Sequence, residues 1–153
     1  MAYVGGPKTA GCIFCTQPSQ TDLRDALVLA VTPSVVVMMN RFPYTGGHLM
    51  VAPRTHTADL DALDAAQFNR VMEGVRYAAR VLREVFTPDG MNIGLNLGQA
   101  GGAGVAEHLH WHLVPRWLGD TNFMPMLADV RVIPEHLLTT YDRLRPHFAP
   151  LTT

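Results

Sequence analysis

The stretch His108-Leu109-His110-Trp111-His112-Leu113-Val114-Pro115-Arg116 constrains this chain more than any other. Three of the seven histidines fall here at alternate positions, with apolar residues between them. On a β-strand, successive side chains point to opposite faces. The spacing therefore predicts three imidazoles in a row on one face and Leu109, Trp111 and Leu113 on the other. A helix, at about 100° per residue, would scatter the same three rings. Imidazole is the side chain whose charge changes near neutral pH, so the row points to chemistry rather than packing.

The chain is 153 residues long, one domain's worth. It reads as a single domain over 1–153, with an N-terminal arm (1–11) and a C-terminal tail (117–153). A hydrophobic fraction of 48% is ordinary for a globular chain, and a net charge of −1 argues against nucleic-acid or anionic-membrane surfaces. No apolar run would span a bilayer, the first residues lack the order of a secretory signal, and two cysteines do not make a disulfide framework. The expectation is a soluble cytoplasmic protein with no nucleic-acid or membrane partner.

Cys12-Ile13-Phe14-Cys15 can be a redox couple, half of a zinc site, or neither. The turn-like Pro18-Ser19-Gln20-Thr21-Asp22 that follows favours zinc, with histidines completing the set. The apolar runs 26–31 and 35–39, separated by Thr32-Pro33-Ser34, read as an antiparallel hairpin. The loop Asn40 to Gly47 leads to a third strand, 48–52, ended by Pro53, with His56 just beyond.

From Asp64 to Phe86 the period changes. Phe68, Val71, Met72, Val75, Ala79, Leu82 and Phe86 form one stripe of an amphipathic helix. Asp64 and Gln67 resemble a capping box, and Pro88-Asp89-Gly90 stops the helix. Arg70, Glu73, Arg76, Arg80 and Arg83 lie largely off the stripe and read as a solvated face rather than a basic patch. A fourth strand, 91–97, carries Asn92, Gly94 and Asn96 on one face. Between it and the histidine strand (108–114) lies Gly98-Gln99-Ala100-Gly101-Gly102-Ala103-Gly104. Glycines of this kind turn backbone N–H groups toward an anion, and beside the histidines they read as a phosphate site. A helix is expected from Pro134 to Arg145, ended by Pro146. His136 and His147 have no assignable partners.

These residues resemble the histidine-triad (HIT) superfamily, whose signature alternates His and apolar positions as His108 to Val114 do. Asn40-x-x-Pro43-x-x-x-Gly47-His48-x-x-Val51-x-Pro53-x-x-His56 resembles the upstream block, and Asn92-x-Gly94 with the glycine loop resembles the middle one. The segment from Trp117 to Pro125 is most similar to the bacterial diadenosine tetraphosphate phosphorylase and Fhit-like hydrolase branch.

The resemblance implies an α+β fold with a five-stranded antiparallel sheet, one long helix, a C-terminal helix and a homodimer. The tail would pack on the partner subunit and bring Trp117 or Phe123 near a nucleotide. It implies cleavage of dinucleoside polyphosphates at the α-phosphorus, with His110 as nucleophile and water or inorganic phosphate as acceptor. His112 would protonate the leaving oxygen or hold the phosphate, and His48 would support the triad. Nucleotide or phosphate contacts are expected from Asn40 (at the ribose), Asn92, Asn96, Gln99, Gly102, Gly104 and Trp117. The family's eukaryotic hydrolases carry glutamine where this chain has Gly104. Relatives with a Cys-x-x-Cys pair imply structural zinc on Cys12, Cys15, His56 and His108, which makes His108 a brace for His110. The alternatives are a nucleoside phosphoramidase, a metal-dependent hydrolase using the histidines as ligands, and a non-catalytic nucleotide-binding module.

Overall fold

Residues 11–120 and 135–151 are described by the computed structural model of the chain. Five strands, β1 (Val28–Val31), β2 (Val35–Met39), β3 (Leu49–Pro53), β4 (Gly90–Leu95) and β5 (Trp111–Arg116), form one sheet in the order β1-β2-β3-β5-β4. Every pairing is antiparallel. The helices are α1 (Ile13–Thr16), α2 (Ala65–Phe86) and α3 (Leu137–Phe148). None is long and apolar enough to cross a membrane among the described residues.

The hairpin closes where Thr32 Oγ1 accepts from the N–H of Ser34 and of Val35, at 3.2 and 2.9 Å. Alternation then sorts the side chains. Val35, Val37, Leu49, Val51, Leu109, Trp111 and Leu113 face α2, which contributes Val71, Val75, Ala78 and Leu82. Val28, Val36, Met38, Met50 and Ala52 face the other way and pack around Phe14 of α1. The long helix therefore covers one face of the sheet and leaves the opposite one to the histidines. The capping box is present, with Gln67 N–H to Asp64 Oδ1 at 2.7 Å and Asp64 N–H to Gln67 Oε1 at 3.0 Å.

Several boundaries differ from the sequence reading. β1 begins at Val28 rather than 26, because Leu27 takes a left-handed φ of +59° and the ladder bulges between Val28 and Ala30. β3 includes Pro53, which pairs with Val35. β4 ends at Leu95, and β5 begins at Trp111. His108 and His110 thus lie on the lead-in to β5, anchored by Leu109 N–H to Thr57 O at 2.8 Å.

The C-terminal helix runs to Phe148 with Pro146 inside it. Phe148 is fully buried, and that burial holds the last turn despite the hydrogen bond proline cannot make. This helix packs on its own chain, where Tyr141 Oη donates to Val28 O at 2.9 Å and Arg24 forks onto Asp142 at 2.8 and 2.7 Å. His136 does have a role, since its Nδ1 accepts from Leu138 N–H at the start of α3. Phe123 lies outside the described residues.

Candidate active site

Three of the predicted histidines are buried: His48, His108 and His110 are 1%, 1% and 2% exposed. They share the face opposite α2, as the alternation requires. Their hydrogen bonds make the rings unequal.

His110 Nδ1 lies 2.8 Å from the His108 carbonyl oxygen. A carbonyl only accepts, so this nitrogen carries the proton and Nε2 keeps its lone pair. His48 Nδ1 accepts the Tyr44 N–H at 3.2 Å. The proton of neutral His48 is therefore on Nε2, which donates to His112 Nδ1 at 2.9 Å. Neutral His112 then bears its own proton on Nε2. The rings of His110 and His112 meet edge to face at 4.8 Å, so a ring with a free lone pair adjoins a ring with a free N–H.

Burial, assisted by the neighbouring imidazoles His112 and His110, pushes His48 down to about 3. Burial and His110 push His112 down to about 4. Burial likewise lowers His110, against the opposing pull of the His108 carbonyl. All three are neutral at pH 7, the state in which an imidazole is a nucleophile.

The four residues expected to hold a metal converge from three separate segments, their ligand atoms lying within 4.8 Å of one another. Cys12 Sγ is 3.2 Å and Cys15 Sγ 3.6 Å from His108 Nδ1, Cys15 Sγ is 3.4 Å from His56 Nδ1, and the two Nδ1 atoms are 3.1 Å apart. Zinc bonds of about 2.3 Å to sulfur and about 2.0–2.1 Å to nitrogen, at tetrahedral angles, need edges of about 3.3–3.8 Å. The donor set fits. His108 Nε2 donates to Pro53 O at 2.9 Å, which frees Nδ1 as a ligand atom. Burial raises the Cys12 thiol, a cost that a bound cation would offset.

The predicted nucleotide contacts are placed less uniformly. Gly94 pairs opposite His112, Asn92 shares its face two residues earlier, and Asn96 lies just past the end of β4. Asn92 Oδ1 accepts from Arg116 at 3.2 Å, and Asn96 Nδ2 reaches Gly102 O at 3.5 Å. In the loop, Gly102 N–H donates to Gln99 O at 3.0 Å, and Gly102 has a φ of +86° that suits glycine. Gly104 lies exposed just after it. Asn40 is buried behind His48, its Oδ1 accepting from Phe42 N–H at 2.9 Å. Trp117 follows β5, its N–H on Asp120, at the end of the strand away from the other histidines.

Two aromatic rings were not singled out by the sequence. Phe14 sits between the two cysteines, with its ring 5.2 Å from His108 and 4.9 Å from His110. Tyr44 stacks on His48 at 4.8 Å. Their proximity to the motif residues Cys12, Cys15 and His48 was the available signal.

Buried histidines on one face of a five-stranded antiparallel sheet define a class of small α+β proteins. Residues 23–117 match the HIT domain family, and the chain belongs to it. An AP-4-A phosphorylase of Mycobacterium tuberculosis is 39% identical over 134 residues, covering 88% of this chain and 69% of that protein. A Zn-bound histidine triad family protein from Mycobacterium smegmatis superposes with a TM-score of 0.68 at 26% identity, covering 92% of this chain and 94% of that one. The fold alone is shared with a hypothetical histidine triad nucleotide-binding protein from Sulfolobus tokodaii (TM-score 0.71, 19% identity, 92% and 93% covered). The relatives support a nucleotide-processing enzyme.

Proposed function

We propose that the protein cleaves dinucleoside polyphosphates, such as diadenosine tetraphosphate, at the α-phosphorus through a nucleotidyl-His110 intermediate. The complementary protonation of His110 and His112 carries this reading, supported by the similarity to an AP-4-A phosphorylase.

His110 Nε2 attacks the α-phosphorus, forming a P–N bond as the P–O bond to the leaving polyphosphate breaks. His112 Nε2–H donates a hydrogen bond to the departing oxygen, and the polyphosphate leaves as its anion while His112 keeps its proton. Inorganic phosphate then attacks phosphorus through an anionic oxygen, or water attacks and its proton passes to solvent, as the P–N bond breaks and His110 is released. The Nδ1–H to His108 carbonyl bond stabilises the positive charge that develops on His110. Phosphoryl oxygens would be held by Gln99 and the backbone N–H groups of the glycine loop. Asn40 and Asn92 are proposed at the nucleoside side, with Trp117 near the nucleotide.

Cys12, Cys15, His56 and His108 would hold zinc. Its chemistry there is structural, a closed four-ligand site that ties the arm and α1 to the segment bearing His110. A homodimer is also proposed. β4 is an edge strand with Ile93 about half exposed, as is Leu97 just beyond its end, a surface that a second copy would cover.

Incubating the protein with diadenosine tetraphosphate, with and without inorganic phosphate, tests the reading. ADP and ATP formed only with phosphate identifies a phosphorylase, and AMP and ATP in water identifies a hydrolase. No nucleotide adduct on His110 in rapidly quenched reactions would refute the covalent route.

A further inference from the structure

A cavity of about 660 Å³ lies away from the triad. It lies between α2 and the β1–β2 turn, on the opposite side of the sheet from the histidines. Its volume falls in the range of small-molecule sites. Its rim carries Arg70, Arg76, Arg80 and Arg83 against a single acid, Glu73, with Ser34 and Tyr77 beside them. A smaller hollow shares Pro33, Ser34 and Arg70 with it and adds Arg54. Five arginines against one glutamate is a dense cluster on a chain whose net charge is −1.

The guanidiniums are available. Those of Arg54, Arg70, Arg76 and Arg83 make no hydrogen bond or ion pair among the described residues. Arg80 lies 4.7 Å over the Tyr77 ring, and its closest carboxylate is Glu84 at 3.8 Å. Every cation of the cluster is arginine, the side chain whose planar fork matches phosphate oxygens in pairs. At about 1.5 Å per residue, Arg70 to Arg83 spans about 20 Å along α2. One phosphate cannot meet all of them, whereas an elongated polyanion can.

We propose that this groove is a second, non-catalytic site that binds a linear polyphosphate, free or carried on a nucleoside. It stands apart from the triad chemistry, because no residue of the groove belongs to the triad.

The probe is inorganic tripolyphosphate, titrated into the full-length ¹⁵N-labelled protein while the amide signals of Ser34, Arg70 and Gly74 are followed. Saturable shifts at these amides are expected. Arg70→Gln with Arg80→Gln should weaken them at least tenfold, Glu73→Gln should tighten them severalfold, and all three substitutions should leave nucleotide turnover unchanged. Raised salt should weaken binding, as for any screened contact. ATP binding with equal strength assigns recognition to the phosphates alone, and tighter ATP binding adds a nucleoside to the same site. Shifts confined to the glycine loop, equal binding of orthophosphate, or an unaffected double variant would overturn the proposal. So would an oligonucleotide of equal charge that binds more tightly, which would reassign the groove to nucleic acid.

Discussion

His48 Nε2 and His112 Nδ1, 64 residues apart in the chain, lie 2.9 Å from one another and so fix which nitrogen of His112 bears its proton. The direction of that hydrogen bond is set by the Tyr44 N–H, which occupies the other nitrogen of His48. His112 is thereby held as a donor toward the space beside His110. Four predictions follow from this arrangement and from the shell around it.

Removing the nucleophile and removing the donor should differ in kind. His110→Ala should abolish both the adduct and turnover. His112→Ala should still form an adduct, with turnover lowered by about 10²–10³, the usual worth of one donor aimed at developing charge. His48→Gln should cost less than His112→Ala, because it disturbs only the tautomer of His112. Quench-flow adduct yields alongside steady-state rates separate the three.

Stability should rise with pH across the acid range. Both His48 and His112 have folded-state values, about 3 and about 4, below the ordinary 6.5. Between those values and 6.5 the unfolded chain binds more protons, so acid favours unfolding. Their contribution is fully present above about pH 6.5 and is lost as pH falls toward 4 and then 3. For a buried imidazole such as His48 the slope is about 1.4 kcal/mol per pH unit. Urea midpoints measured at several pH values should show it, and His48→Gln should flatten the curve.

Metal removal should loosen α1 and its two flanking cysteines from the rest of the fold. Elemental analysis after purification without chelator is expected to give one zinc per chain, lost in Cys12→Ser with Cys15→Ser. A ligand that binds only the folded state at 1,000 times its Kd stabilises by about 4 kcal/mol. Chelation should therefore lower the melting temperature by several degrees. A wild-type chain free of zinc would refute the metal assignment.

Gly47→Ala should damage both stability and activity. Gly47 has a φ of +79°, and an added Cβ would come within 3.1 Å of the Phe86 ring. The left-handed backbone alone costs a non-glycine residue about 1–2 kcal/mol. Because His48 is the next residue, relaxation of this strain would move the ring that orients His112. A fall in kcat together with a lower denaturation midpoint is expected, and an unchanged kcat would separate the turn from the site.

Much of this was legible from short-range pattern. The two-residue period of His108 to Leu113 separated the imidazoles from the α2-facing side chains, and the three- and four-residue steps from Phe68 to Phe86 marked the helix. Both patterns reflect the geometry of single elements, which sequence spacing reports directly. Boundaries were less legible. The burial of Phe148 carries α3 through Pro146, and the left-handed turn at Leu27 shortens β1, both effects of packing rather than local preference.

The sequence by itself determined the strand alternation, the long helix with its cap, and the residue types of the triad and of the Cys-x-x-Cys pair. Only the tertiary structure decided which ring nitrogen is free. The His108 carbonyl, the Tyr44 N–H and the Pro53 carbonyl are backbone groups, identical in every residue, and spacing cannot reveal what they face. It also set what the arginines of α2, solvent-exposed as expected, stand beside. The β1–β2 turn and the segment after β3 bring Ser34 and Arg54 beside them, and the folded chain turns a row of separate charges into a groove.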